Sequence, residues 1–193
     1  MSKSRFLALV APCATAAEAA AVVAERRKQH YGARHHCTAL VVGPQGAVQR
    51  SSDDGEPSGT AGVPMLEVLR RRRVTDVVAV VTRYFGGVLL GAGGLIRAYS
   101  GAVGAALDEA VLERLVERAV WEAEADFGRA GRLENAVRAW AAGRDAQVNV
   151  DYGAGGVTIQ VELPPPQAPA FAAFAAAAGA AARPAGTVTV RRR

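Results

Sequence analysis

Residues 80–100 read VVTRYFGGVLLGAGGLIRAYS. Five glycines fall within nine positions: Gly86, Gly87, Gly91, Gly93 and Gly94. The run before them, Val74 to Thr82, is β-branched and apolar, which predicts a strand. Leu95 onward carries apolar residues at helical spacing, which predicts a helix to about Val116. The order is therefore strand, glycine-rich loop, helix. Glycine admits positive φ and lets a backbone or a ligand come close. A helix N-terminus adds unpaired N–H groups and partial positive charge. Arg83 and Arg97 flank the loop and bring formal charge. The spacing fits neither phosphate motif. Gly91 is followed by Ala92 and Gly93 where a P-loop needs Lys and a hydroxyl residue. Ile96 stands where a dinucleotide loop needs its third Gly. Two readings stay open: a tight turn packing a helix on a sheet, or an anion or partner surface. Under the second, Tyr84, Phe85 and Tyr99 beside the two arginines are the partner-binding set, since aromatics stack on bases and Arg pairs with phosphates; under the first, Phe85 and Tyr99 are core. Phe85 is expected in the core, with at least one of Arg83, Tyr84 and Arg97 exposed.

Upstream lies a second unusual stretch, residues 51–62, SSDDGEPSGTAG. It is too polar for a strand or a helix. Asp53, Asp54 and Glu56 could hold a divalent cation or supply a general base, but the EF-hand spacing is absent. Loop acids are more often solvated or cap the next helix, and Ser58 or Thr60 could cap a helix beginning near residue 63. His35 and His36 point to opposite faces if they lie on a strand. No second Cys or His cluster would complete a zinc site with Cys37. No metal and no catalytic residue is assigned.

Three long ungapped runs carry a family resemblance. They are Asp53-Asp54-Gly55-Glu56-Pro57-Ser58-Gly59-Thr60-Ala61-Gly62, then residues 81–87, VTRYFGG, then residues 90–100, LGAGGLIRAYS. They closely resemble the signature of the Impact family. Residues 34–37, RHHC, resemble that family's short histidine motif. The resemblance implies an N-terminal domain over 1–116 with the fold of the second domain of ribosomal protein S5. It also implies a C-terminal domain over 119–193, similar to the last domain of elongation factor G.

The rest of the chain agrees with an α+β protein of two domains. Ser4 to Ala11 reads as a strand, and Thr15 with Glu18 as a capping box for a helix to about Gln29. Residues 33–42 and 47–50 form a hairpin around Gly43-Pro44-Gln45-Gly46. Pro64 suits the first turn of a helix that ends in Arg70, Arg71, Arg72 and Arg73. Four adjacent arginines serve either as C-terminal charges or as a polyanion-facing patch. From Ala119 the order is strand 119–127, helix 128–142, strands 147–152 and 157–163, helix 168–182 and strand 186–191. That βαββαβ order is ferredoxin-like.

The net charge is +5 and the sequence pI about 9.8. Residues 1–115 carry 14 basic and 10 acidic side chains, against 9 and 8 in residues 116–193. The basic excess sits in the first half and favours a polyanion partner. Two cysteines, Cys13 and Cys37, make no disulfide framework and predict a reducing cytoplasm. The five-residue apolar run at Phe6 to Val10 is too short for a signal peptide. The alanine-rich run at 168–182 is too short and too poor in Leu, Ile and Val to span a membrane.

The resulting expectation is a non-enzymatic regulator or accessory factor of translation, without a cofactor. It would bind nucleic acid or the ribosome through Arg83, Tyr84, Gly86, Gly87, Gly91, Gly93, Gly94 and Arg97. A regulatory protein partner follows from the resemblance alone. The alternative is an enzyme or binder of a small phosphorylated ligand. That alternative requires Asp54 and Glu56 to converge with Arg83 and the amides of 91–94 in one cleft.

Overall fold

The computed structural model describes residues 4–192. The chain divides into two compact units, up to Val111 and from Leu112. The two-domain α+β class expected from the sequence is what the structure shows.

The first unit contains β1 (Arg5–Pro12), α1 (Ala16–Gln29), β2 (His35–Val42), β3 (Val48–Ser52), α2 (Gly62–Arg71), β4 (Val77–Tyr84) and α3 (Gly91–Glu109). Its sheet order is β1-β4-β2-β3, with every pair antiparallel. β4 is central and buried on both faces, which explains its unbroken apolar run. Alternation decides what each face touches. Val77, Ala79 and Val81 face α2 and α3 with Met65, Leu69, Leu95, Tyr99 and Val103. Val78 and Val80 face α1 with Ala19, Val22 and Val23. The capping box forms: Thr15 Oγ1 accepts from the Glu18 amide at 3.2 Å, and Glu18 reaches back to the Ala14 amide at 2.9 Å.

Boundaries moved where backbone conformation outweighed side-chain pattern. β4 starts three residues late because Arg73 and Asp76 adopt φ of +54°. α3 starts four residues early, so Gly91, Gly93 and Gly94 belong to its first turn rather than to a loop. It ends at Glu109, not Val116, and the unit boundary falls at 111–112 rather than 116–119. Of the four arginines, Arg70 pairs with Glu67 at 2.8 Å and Arg72 with Asp108 at 2.5 Å, while Arg71 and Arg73 stand exposed.

The second unit contains β5 (Arg114–Ala125), α4 (Phe127–Ala141), β6 (Gln147–Gly153), β7 (Gly156–Leu163), α5 (Ala168–Ala177) and β8 (Ala182–Arg192). The antiparallel order β6-β7-β5-β8 is ferredoxin-like. Both helices cover one face, where Trp121, Trp140, Phe171 and Phe174 form an aromatic cluster. Arg118 is also buried: it pairs with Asp145 at 2.8 Å and donates to the Asp145 and Glu162 carbonyls.

Candidate functional site

The acidic loop is a set of internal clamps. Asp53 faces the N-terminus of α2, and its carboxylate accepts from the amides of Gly59, Ala61 and Gly62 at 2.9, 3.0 and 2.8 Å. Burial alone raises its pKa, but the three amides outweigh that and hold it below the usual carboxylate range. The cap of α2 is therefore Asp53, a residue eight or nine positions away, and not Ser58 or Thr60. The Thr60 hydroxyl instead donates to the Pro57 carbonyl at 2.6 Å, closing the turn that Pro57 opens.

Asp54 points the other way. Its carboxylate accepts from the His36 amide at 2.6 Å and from Arg27 at 2.5 Å. Its carbonyl lies 2.9 Å from His35 Nδ1, which must donate because a carbonyl only accepts. His36 is buried on the opposite face of β2, with Nδ1 3.1 Å from Thr82 Oγ1. The Cys37 thiol donates to the Asp53 carbonyl at 3.0 Å. The histidine motif and the acidic loop thus bind each other. Among the described residues no three His, Cys, Asp or Glu side chains form a metal-sized cluster.

Glu56 turns inward. Its Oε1 accepts from Arg83 Nη1 at 2.6 Å and from the Tyr99 hydroxyl at 2.7 Å, and all three residues are buried. Arg83 Nη2 donates to Ser4 Oγ at 3.3 Å, and the same hydroxyl accepts from the Gly86 amide. The Arg83 guanidinium lies between the Phe6 and Phe85 rings, 5.4 and 5.5 Å from their centroids. Arg83, expected at an anion surface, is spent on Glu56 instead. A cation facing the core on a buried strand needs a buried anion, and the acidic loop supplies it.

What stands on the surface is the segment from Phe85 to Arg97. Phe85, expected in the core, is 44% exposed. Val88, Leu89, Leu90 and Ile96 are exposed as well, Leu89 to 86%. Gly87 and Gly91 adopt φ of +82° and +68°, which only glycine takes without strain. The first turn of α3 has no side-chain cap and no acidic residue. Gly91, Ala92 and Gly93 are exposed. Arg97 is exposed and folds back over this turn: a Cβ placed on Gly93 would lie 3.6 Å from Arg97 Nη1. A cation beside the positive end of a helix is unfavourable by about 0.3–1 kcal/mol unless an anion joins them. Tyr84 is half-buried, its hydroxyl 3.0 Å from His30 Nδ1.

The structure therefore separates the residues that the sequence grouped. Gly86, Gly87, Gly91, Gly93, Gly94 and Arg97 surround one exposed turn. Arg83 lies beneath it, and Asp53, Asp54 and Glu56 are each engaged elsewhere. The cleft required by the ligand-binding alternative is half formed, since Glu56 and Arg83 meet but neutralise each other, while Asp54 serves Arg27 and His36. Sequence reasoning missed Ser4 and the Tyr99–Glu56 bond, and no local signal announces either.

Residues 2–107 match the family model described as the Impact N-terminal domain. The Impact family member YvyE of Bacillus subtilis is 49% identical over 139 residues, covering 72% of this chain and 64% of that protein. An Impact family member of Haemophilus influenzae is 44% identical over 131 residues, 67% of this chain and 64% of that one. With these two relatives the chain spans just under two thirds of their length. Similarity to YigZ of Escherichia coli extends further, at 39% identity over 90% of this chain and 84% of that protein. A crystal structure of a hypothetical protein superposes with a TM-score of 0.60 at 36% identity, covering 94% of this chain and 89% of its own.

Proposed function

The chain belongs to the Impact family, a family of translation-related regulators, and from that premise we propose that it is a non-enzymatic accessory factor acting in the cytoplasm, which binds RNA or ribosomal particles through the turn at 85–97. The observation that carries this reading is the head of α3. It has no side-chain cap, and Arg97 is laid over it with no acid in the turn. A phosphate between them would relieve the repulsion of like charges and satisfy the amides. Phe85 supplies an exposed ring for a base, held from beneath by the Arg83 guanidinium. A shallow groove on the sheet of the second unit is lined by Glu122, Asn149, Asp151, Thr158 and Gln160, a set without a cation or an aromatic.

The experiment is binding of the full chain to single-stranded and duplex RNA and to ribosomal particles across a salt series. Arg97→Ala and Phe85→Ala are measured beside the parent. Affinity that falls with salt is expected, with a log–log slope reduced by about one in Arg97→Ala. Phe85→Ala is expected to weaken single strands at every salt concentration while leaving the slope unchanged. Absence of salt-dependent binding to all of these overturns the reading.

A further inference from the structure

β3 is an edge strand of the first sheet, and each of its five residues is exposed. α1 covers the sheet only in part. Between α1 and β3 runs a groove of about 470 Å³. Its floor is Leu40 and Val78, its wall Ala20, Val23 and Ala24, and Arg27 and Arg50 stand in its lining. Register places Arg50 opposite Leu40 and Ser52 opposite Thr38, so alternate residues of β3 look into the groove.

We propose that β3 receives an extended acidic segment of a partner protein by strand addition, with a carboxylate on Arg50 and an apolar side chain in the groove. This surface is separate from the turn at 85–97. Charge selects the occupant. The lining holds two arginines and no acid. Arg27 is already bridged to Asp54, while Arg50 forms no ion pair among the described residues. The edge offers backbone donors and acceptors that match a peptide backbone. The groove has no aromatic side chain on which a base could stack, which disfavours a nucleic acid. A second copy of the chain is disfavoured as well. Symmetric antiparallel pairing about the middle of β3 would set Arg50 against Arg50, and like charges directly opposite destabilise a sheet. The added strand alternates too, so its inward residues should be acidic beside Arg50 and apolar beside Ser52.

The test uses the full chain and a fluorescein-labelled nonapeptide in which serine alternates with leucine and glutamate. A second peptide carries lysine in place of glutamate. Anisotropy gives affinity, and amide hydrogen exchange locates the contact. The expected result is saturable binding of the acidic peptide with new protection at the amides of 48–52. Arg50→Glu, an exposed change that leaves the core intact, should weaken that peptide at least tenfold and strengthen the lysine peptide. The proposal is overturned by equal binding to Arg50→Glu, by protection elsewhere, or by no saturation up to millimolar peptide. It is also overturned if a single-stranded oligonucleotide displaces the peptide, or if protection of 48–52 appears with protein concentration alone.

Discussion

Glu56 Oε1 sits 2.6 Å from Arg83 Nη1, and the two side chains are only 3% and 6% exposed. This pair joins the acidic loop to the central strand, and the Tyr99 hydroxyl brings in α3. Removing one partner strands a buried charge, which costs about 3–5 kcal/mol. Glu56→Ala should lose that much stability in urea unfolding. Glu56→Gln, which keeps an acceptor for both donors, should lose less. The paired change Glu56→Leu with Arg83→Met should recover part of the loss. A Glu56→Ala cost below about 1 kcal/mol would contradict a buried, uncompensated Arg83.

Two glycines should respond in opposite directions. A Cβ on Gly62 would lie 2.7–2.9 Å from the backbone of Ser52, where nothing can swing aside. Gly62→Ala should therefore destabilise by about 1–3 kcal/mol as α2 and the end of β3 are forced apart. Gly101, exposed in the middle of α3, has nothing within 4 Å of that position. Gly101→Ala should stabilise by about 0.5–1 kcal/mol by raising helix propensity. Thermal midpoints of the two variants test both signs.

Acid should weaken the first unit before any carboxylate titrates. Burial first, then Arg27, lowers the His36 pKa below its ordinary 6.5, against an opposing pull from Asp54. The native state thus keeps His36 neutral while the unfolded chain takes up a proton. Stability is full above pH 6.5 and falls as pH drops toward the native pKa, by at most about 1.4 kcal/mol per pH unit for one such group. His30 is shifted in the same direction, by desolvation first and then by Arg26 and Arg5, and adds to the slope. His36→Asn should flatten part of the pH 5–6.5 decline in urea midpoints. An unchanged slope in that variant would remove His36 from the account.

The thiols should be silent until the protein unfolds. Burial pushes the Cys37 pKa up to about 12, against an opposing hydrogen bond with Tyr99 and with Glu56, Asp54 and Asp53 adding to the rise. Cys13 is also buried, and its pKa is raised by burial first and then by Glu18 and Asp76. Thiolate is the reactive form, so a disulfide reagent at pH 8 should label neither in native protein. Labelling should follow the rate or population of opening, and both thiols should react within seconds in denaturant. Fast labelling of Cys37 in native protein would show that the 53–62 loop opens freely.

Much of this fold is local chemistry. The β-branched apolar run marked β4 as a strand, Thr15 and Glu18 fixed the start of α1, and the βαββαβ order identified the second unit. The motif runs at 53–62 and 81–100 placed the chain in its family. What lay beyond the sequence were pairings across long separations. Nothing near Arg83 says that its counter-ion is Glu56, 27 residues earlier, or that Tyr99 completes the contact. Asp53 caps a helix that begins nine positions later, a reach no capping pattern covers. Phe85 reads as core by composition, but β4 ends at Tyr84, and one residue beyond the strand the ring lies over the Arg83 guanidinium at the surface. Glycines at 91, 93 and 94 looked like a loop because glycine disfavours helices, but tertiary packing of Leu95, Tyr99 and Val103 holds that turn helical. Side-chain periodicity is a property of neighbours along the chain, and so it fixed the elements. Charge compensation and exposure are properties of neighbours in space, and only the folded sheet decided which arginine was buried and which remained free to meet an anion.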